Sequence, residues 1–228
     1  MNDMNFVEGE LLLIDKPLNW TSFDVVLKVR NAISKKLKLK KLKVGHAGTL
    51  DPLATGLLII CTGKKTKEIN DFMGLPKSYL ANITTGGTTP SYDLETEVVP
   101  FPNAKELTAE GIAEALPQFT GLIQQMPPIF SAKKVDGKKA YDLAREGKEV
   151  ELKPSFVSIH EMEVKKIEDN TFDLHVHCSK GTYIRSLAFD LGEAMGTGAH
   201  LSGLRRTEIG PFTVDDAMSM EEFEKMMR

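Results

Sequence analysis

The chain has 228 residues, of which 41% are hydrophobic and 27% are charged, and its 29 basic and 32 acidic side chains give a net charge of −3. This composition excludes a disordered chain, and apolar runs far shorter than ~20 residues exclude a membrane-spanning helix. Two distant cysteines, Cys61 and Cys178, indicate neither a disulfide framework nor a zinc site, so we expect a cytoplasmic protein.

The first third of the sequence predicts a strand, a helix, a glycine-rich loop and two further strands. The helix is expected after Thr21, whose hydroxyl and the carboxylate of Asp24 form a capping-box pattern ahead of apolar residues at helical spacing. The predicted segments are a strand at 10–15, the loop at 45–56 and strands at 57–61 and 79–84.

The remaining two thirds predict more strands, with helices between them. The predicted segments are a helix after Thr108, a short helix at 141–145, strands near 155–167 and 171–178, a helix from Gly181 to about Met195 and a last helix capped by Ser219 and Glu222. Because this order has no regular βαβ rhythm, we predict a mixed α+β fold with a largely antiparallel central sheet flanked by helices. We expect one domain over residues 1–228.

Positive charge is concentrated in one window despite the negative total. Residues 25–50 contain eight basic side chains and no acidic one: Lys28, Arg30, Lys35, Lys36, Lys38, Lys40, Lys41 and Lys43. A basic stretch beside a glycine-rich loop can bind the phosphates of a nucleic acid. A solvated, lysine-rich helix end is the alternative interpretation.

The loop at 45–56 is the strongest candidate for chemistry. It contains three glycines, which allow a ligand to approach the backbone, and it places Asp51 between apolar neighbours that would bury its carboxylate. An aspartate before a proline is also a common turn former. His46 can stack on a base or bind a phosphate, or it can be purely structural.

Residues 45–56 resemble the signature of the TruB family of tRNA pseudouridine synthases. Other segments resemble the family's remaining motifs in the same order along nearly the whole chain: 13–17, 77–79, 131–141 with 144–147, 178–185 and 198–206. The resemblance implies the pseudouridine synthase fold, with an RNA-gripping insertion at about 127–153 that contains Lys133, Lys134, Lys138 and Lys139. It also implies isomerisation of uridine to pseudouridine at position 55 in the T-loop of tRNA.

The resemblance further implies the catalytic residues. Asp51 is the catalytic carboxylate, acting as a nucleophile at C1′ or as a base on the ribose. Arg185 would keep Asp51 ionised, and Tyr79 would stack on the uracil and assist removal of the C5 proton. Read in isolation, Arg185 is a surface arginine in the first turn of a helix and Tyr79 is a core residue of a strand.

The same resemblance implies a substrate-binding set comprising His46, Tyr183, Leu204 and Lys16. Because the reaction is an isomerisation, we expect neither a metal nor another cofactor. Many family members continue into an appended RNA-binding domain, and because 22 residues follow Arg206 we expect that domain to be absent. Asp93 lies in a turn that departs from the family pattern, which leaves its role open.

The expected partner is the T-arm of tRNA, with no membrane and no obligatory protein partner, and we expect a monomer. Two alternatives remain open at this point. One is a guide-RNA-dependent enzyme that modifies ribosomal RNA, and the other is a non-catalytic module that binds or folds RNA.

Overall fold

The computed structural model describes residues 4–131, 133–135, 138–139 and 152–228. The strands are β1 Leu11–Lys16, β2 Val44–His46, β3 Ala54–Thr62, β4 Lys77–Thr85, β5 Gly87–Thr88, β6 Val99–Pro100, β7 Gly121–Gln125, β8 Lys134–Val135, β9 Lys138–Lys139, β10 Ser155–Glu168, β11 Thr171–Cys178, β12 Ala199–Ile209, β13 Phe212–Thr213 and β14 Met218–Ser219. The α-helices are α1 Ser22–Lys36, α2 Ile69–Gly74, α3 Ala109–Ala115, α4 Ile184–Met195 and α5 Met220–Met226. Short 3-10 helices cover Gly63–Glu68, Leu116–Phe119 and Val214–Asp216.

The chain divides into two compact units. The first comprises Met1–Tyr79 with Leu204–Arg228, and the second comprises Leu80–Gly203. Strands β4 and β12 each contain residues of both units. The single catalytic domain expected from the sequence stays a prediction.

The first unit is built around β3, whose continuous apolar run is typical of a strand that is buried on both faces. In this unit the strand order is β14-β1-β3-β12, with β2 paired to β3 and β13 paired to β12. Leu58 and Ile60 face a core shared with α1 and α5, whereas Leu57, Ile59 and Cys61 face a second cluster.

Helix α1 forms because its sequence combines a strong start with a regular apolar face. Thr21 and Asp24 make the predicted capping box, in which each side chain accepts a hydrogen bond from the other residue's backbone N–H. Val25, Val29 and Ile33 are each fully buried against the sheet.

In the second unit, β4, β11, β10 and β7 are neighbours in that order. Strand β10 pairs antiparallel with both β11 and β7. The alternating burial of β11 places Leu174, Val176 and Cys178 inside. Helix α3 is capped by Thr108, as predicted, and packs against α4.

Most sequence predictions agree with these elements, and the predicted α+β class with a mixed, largely antiparallel sheet is confirmed. Parallel pairing is described for β1 with β14 and for β3 with β12. The sequence did not predict β12, because Gly203 and two adjacent arginines interrupt the alternation of polar and apolar residues. The helix predicted at 141–145 and much of the predicted insertion lie outside the described residues. Within the described residues, no helix has the length and apolar character needed to cross a membrane.

Candidate active site

Asp51 lies in the connection between β2 and β3, half-buried, on a backbone that is fixed from two directions. Its carbonyl accepts a hydrogen bond from the Ala54 N–H at 3.0 Å. The preceding residue, Leu50, is bound by Ser22 of α1, whose Oγ accepts from the Leu50 N–H at 2.8 Å and lies 3.0 Å from the Leu50 carbonyl oxygen. The start of helix α1 therefore sets the position of Asp51.

Arg206 of β12 holds the same loop from the other side. Its side chain is 1% exposed, and its guanidinium donates to the carbonyls of Leu57 at 2.8 Å and Gly48 at 3.1 Å. It also contacts the Thr49 carbonyl at 3.5 Å. These acceptors flank Asp51 in sequence, so one buried side chain fixes both ends of the segment that carries the carboxylate.

A glycine at position 56 makes this arrangement possible. Gly56 pairs with Arg206 between the parallel strands β3 and β12 and has a φ of +104°. A Cβ at this position would lie 2.2 Å from the Arg206 carbonyl oxygen. Any side chain here would separate the strand that carries Arg206 from the loop that Arg206 binds.

Lys16, at the end of β1, is fully buried beside this loop. Its ammonium donates to the Trp20 carbonyl at 2.6 Å and the Pro17 carbonyl at 2.9 Å, and it lies 3.4 Å from the Pro52 carbonyl. Burial lowers the pKa of Lys16 to about 8, while the negative charge of Asp51 opposes this shift. A protonated Lys16 therefore places positive charge close to Asp51 at neutral pH.

His46 ends β2 opposite Ile60 of β3. Burial, followed by the nearby charge of Arg206, lowers the pKa of His46 from its ordinary value, which favours the neutral imidazole. Its Nδ1 is buried and makes no hydrogen bond to the described residues.

Two more of the predicted site residues belong to the first unit. Leu204 of β12 pairs with Ala54 of the parallel strand β3, and Ala54 lies three residues after Asp51. Tyr79 in β4 is buried, with 9% of its surface exposed. Thus Lys16, His46 and Leu204 all lie on elements that border the Asp51 loop.

The other two predicted residues, Arg185 and Tyr183, belong to the second unit. Arg185 is only 5% exposed and donates to the carbonyls of Ser91 at 3.1 Å and Phe130 at 2.9 Å. Its Nε lies 3.6 Å from a carboxylate oxygen of Asp93, which is also buried. The alternative interpretation of Arg185 as a surface residue is therefore wrong. Asp93, whose role the sequence left open, lies beside Arg185.

A side chain that the sequence analysis missed fixes Tyr183, the residue that precedes α4. Gln125 is 1% exposed, accepts from the Tyr183 N–H at 2.8 Å and donates to the Tyr183 carbonyl at 3.0 Å. Tyr183 makes no side-chain cap for α4, and this amide fixes the backbone from which the helix starts. A glutamine at a strand end carries no recognisable signal in a single sequence.

Comparison with known proteins places these motifs in a family. A family model described as TruB family pseudouridylate synthase (N terminal domain) matches residues 35–184, and one described as tRNA pseudouridylate synthase B C-terminal domain matches residues 185–228. A tRNA pseudouridine synthase B from Parabacteroides distasonis is 53% identical over 224 residues, covering 98% of this chain and 95% of that protein. A protein of the same name from Phocaeicola vulgatus is 55% identical over 220 residues, covering 96% and 94%.

Solved structures give the same result for the fold. A chain in the crystal structure of a Cbf5-Nop10-Gar1 complex is 29% identical, with a TM-score of 0.72. The match covers 96% of this chain and 54% of that one, so this chain spans about half the length of that structural relative. The predicted pseudouridine synthase fold is confirmed, and the chain belongs to the TruB family of pseudouridylate synthases.

Proposed function

We propose that this chain isomerises uridine to pseudouridine at position 55 in the T-loop of tRNA, with Asp51 as the catalytic carboxylate. The observation that carries the proposal is the half-buried Asp51 on a loop fixed by Ser22 and by the buried Arg206. Relatives named tRNA pseudouridine synthase B, more than half identical over nearly the full length, support tRNA as the substrate.

The reaction needs few chemical groups. The N1–C1′ glycosidic bond breaks, the uracil turns within the site, C5 bonds to C1′, and the C5 proton is lost while N1 gains one. Because reactant and product are isomers, atoms and electrons balance without a cofactor. Unlike a glycosidase, the enzyme keeps its leaving group, so a second carboxylic acid is not required to protonate a departing base.

Asp51 must be ionised whether it attacks C1′ or acts as a base on the ribose. Nearby positive charge favours the ionised form of a carboxylate. Lys16 interacts electrostatically with Asp51, and the buried Arg206 donates to the main chain of the same loop, so two buried cations border the loop that carries the carboxylate. We assign Arg185 as the further cation that keeps Asp51 ionised and oriented, on the basis of the family motif.

The substrate uridine has to leave the base stack, which requires a few kcal/mol. Stacking on an aromatic ring recovers roughly 1–3 kcal/mol per base. We assign this role to Tyr79, whose hydroxyl would also assist removal of the C5 proton. Tyr183 and Leu204 are assigned to the border of the base, and His46 to the space that the flipped nucleotide leaves.

We infer from its burial that Lys16 acts as a positioning residue rather than as a direct RNA contact. Its ammonium binds the backbone carbonyls of Trp20, Pro17 and Pro52 and is not exposed. A monomeric state, a cytoplasmic location and independence from protein partners stay predictions.

The substitution Asp51→Asn tests the proposal, because it removes the charge while keeping the size of the side chain. Tritium release from tRNA labelled at C5 of uridine measures the reaction. We expect no release above background, with tRNA affinity retained within about threefold because one carboxylate is replaced without loss of a cation. Asp71→Asn, an exposed aspartate in α2, is the matched control and should keep full activity.

The same assay separates the alternatives. Full activity of Asp51→Asn would contradict the assignment of the carboxylate. A wild-type chain that binds tRNA but releases no tritium would be a non-catalytic RNA module. Activity that appears only after addition of a guide RNA would support the guide-dependent alternative. We expect the chain to act on a free tRNA transcript without any addition.

A further inference from the structure

A groove in the first unit is lined mainly by residues of the basic window and meets the Asp51 loop at Gly45. We call it the lysine groove. Its volume is about 630 Å³, and it is lined by Arg30, Asn31, Ser34, Lys40, Lys41, Leu42, Lys43, Val44, Gly45, Thr66 and Ile69. Four of these residues are basic and none is acidic. The remaining polar side chains can donate hydrogen bonds to an anion.

The segment that carries the lysines is anchored in the core. Leu42 and Val44 are 7% and 8% exposed and belong to the cluster packed against α1, whereas Lys41 and Lys43 are exposed. Residues two apart in extended chain point to the same side, about 6.6 Å apart. The alternation of exposed and buried side chains at 41–44 therefore leaves both lysine side chains in solvent on a segment anchored in the core, which a simple solvated helix end would not do.

The structure divides the basic window into two groups. Lys28 pairs with Glu224 of α5 at 2.7 Å, and Lys36 donates to the Met226 carbonyl at 2.7 Å. These two lysines connect α1 with the C-terminal helix. Within the described part of the chain, no carboxylate pairs with the groove lysines at 40, 41 and 43.

Arg30 forms the base of the groove. Its Nη2 donates to the Val44 carbonyl at 3.2 Å, which directs the guanidinium along the segment that carries the lysines. Its Nε is buried and makes no hydrogen bond to the described residues. A buried donor without an acceptor is unfavourable, and the positive charge of Arg30 adds to that of the groove lysines.

We propose that the lysine groove binds the phosphodiester backbone of the RNA substrate, at a site distinct from the one that holds the target uridine. This inference rests on the proposed function for the identity of the RNA. The chain runs directly from the groove at Gly45 to His46 and the Asp51 loop. Backbone contacts here would fix the RNA relative to that loop without reading its sequence.

The test compares two double variants with the same change in net charge. Lys41→Gln with Lys43→Gln removes two groove lysines, and Lys28→Gln with Lys36→Gln removes the two that contact α5. Equilibrium binding of a tRNA transcript is measured between 50 and 200 mM KCl, and thermal unfolding checks that each variant is folded. Exposed ion pairs contribute little to stability, so we expect both variants to fold.

If each groove lysine neutralises one phosphate of a duplex stem, the groove variant should lower the slope of log affinity against log salt by about 1.8. Its affinity should fall up to about 20-fold at 200 mM salt and up to about 200-fold at 50 mM. The control variant should keep the wild-type slope. Equal slopes for the two variants would overturn the proposal. It would also be overturned if poly-glutamate bound to the groove lysines while the groove variant bound RNA as the wild-type chain does.

Tritium release by the wild-type chain decides the proposed function separately. A wild-type chain that forms no pseudouridine, combined with a reduced slope in the groove variant, would contradict the enzyme assignment and leave the groove in place. An active wild-type chain with equal slopes in the two variants would contradict the groove alone.

Discussion

Two buried arginines, one in each unit, hold loops in different ways. Arg206 in the first unit and Arg185 in the second are 1% and 5% exposed, and both donate to main-chain carbonyls. Arg185 is also faced by the Asp93 carboxylate at 3.6 Å, whereas no described carboxylate forms an ion pair with Arg206. Arg185 is therefore a buried arginine with a paired acid, and Arg206 is one without a paired acid among the described residues.

The comparison distinguishes Arg206, which fixes a loop, from Arg185, whose own orientation is set by an acid. Arg206 acts on the main chain around Asp51, and its charge adds to the effect of burial in lowering the pKa of both Lys16 and His46. Arg185 is faced by a carboxylate that, together with two main-chain carbonyls, can hold its guanidinium in one orientation. We expect substitution of Arg206 to act mainly on stability and substitution of the acid beside Arg185 to act mainly on rate.

The largest expected effect is that of Arg206→Lys. A lysine keeps the charge but cannot reach the carbonyls of both Gly48 and Leu57, so buried acceptors lose their donor. We expect a loss of about 3 kcal/mol in the free energy of unfolding, measured in urea. The neighbouring Arg205→Lys is the control. Arg205 pairs with Asp15 at 2.7 Å in a partly exposed position, so its replacement should change stability by less than about 1 kcal/mol. Equal losses would contradict the role of Arg206 as the fixed support of the loop.

The second prediction concerns pH and Lys16. Its folded-state pKa of about 8 lies below its ordinary value of 10.5, so the unfolded chain binds more protons between these values. Stability should therefore rise with pH through that range, because burial of the charged form opposes folding below pH 8. Lys16→Met removes this titration. From pH 7.5 to pH 10 the wild-type chain should gain roughly 2 kcal/mol over the variant in urea unfolding.

Lys67→Met, at an exposed position of the same unit, is the control for loss of one positive charge. A wild-type chain that fails to gain stability over Lys16→Met between these pH values would show that the lysine is not buried in its charged form.

The smallest expected change in stability is that of Asp93→Asn in the second unit. Asparagine can still accept the hydrogen bond that the Glu95 N–H makes with Oδ1, at 3.0 Å, but it loses the charge that faces Arg185. We expect a loss of about 1 kcal/mol in unfolding free energy. The rate of tritium release should fall by more than tenfold under conditions in which the variant is fully folded.

Asp169→Asn, on an exposed turn of the same unit, should change neither quantity. An Asp93→Asn variant with wild-type rate would contradict the inference that Asp93 orients Arg185 for the reaction.

Local patterns predicted most of the fold. The capping residues Thr21 and Ser219 mark real helix starts, and the apolar run at 57–61 lies within the doubly buried β3. Strand β12 was missed because two of its residues have other tasks: Arg205 pairs with Asp15, and Arg206 supports the Asp51 loop. These arginines interrupt the alternation of polar and apolar residues that indicates a strand.

The candidate site was predicted through motifs, while its supports were not. Asp51 and Arg185 stand in recognisable segments. Ser22 and Gln125 act through hydrogen bonds to residues 28 and 58 positions away, respectively, and Asp93 acts through an ion pair. For Asp93 the relevant neighbour is Arg185, whose own contact to Ser91 spans 94 positions. Such long-range contacts leave no periodicity in a single sequence.

The double hydrogen bond between Ser22 and Leu50 has an entropic consequence. Ser22 is the first residue of helix α1 and directly follows the capping residue Thr21. Its hydrogen bonds therefore connect the folded core to Leu50, the residue before Asp51. Hydrogen bonds on both sides of Asp51 thus hold the backbone that carries the carboxylate in the chain without RNA. Binding energy from the phosphates need not be spent on ordering this loop and remains available for extruding the nucleotide.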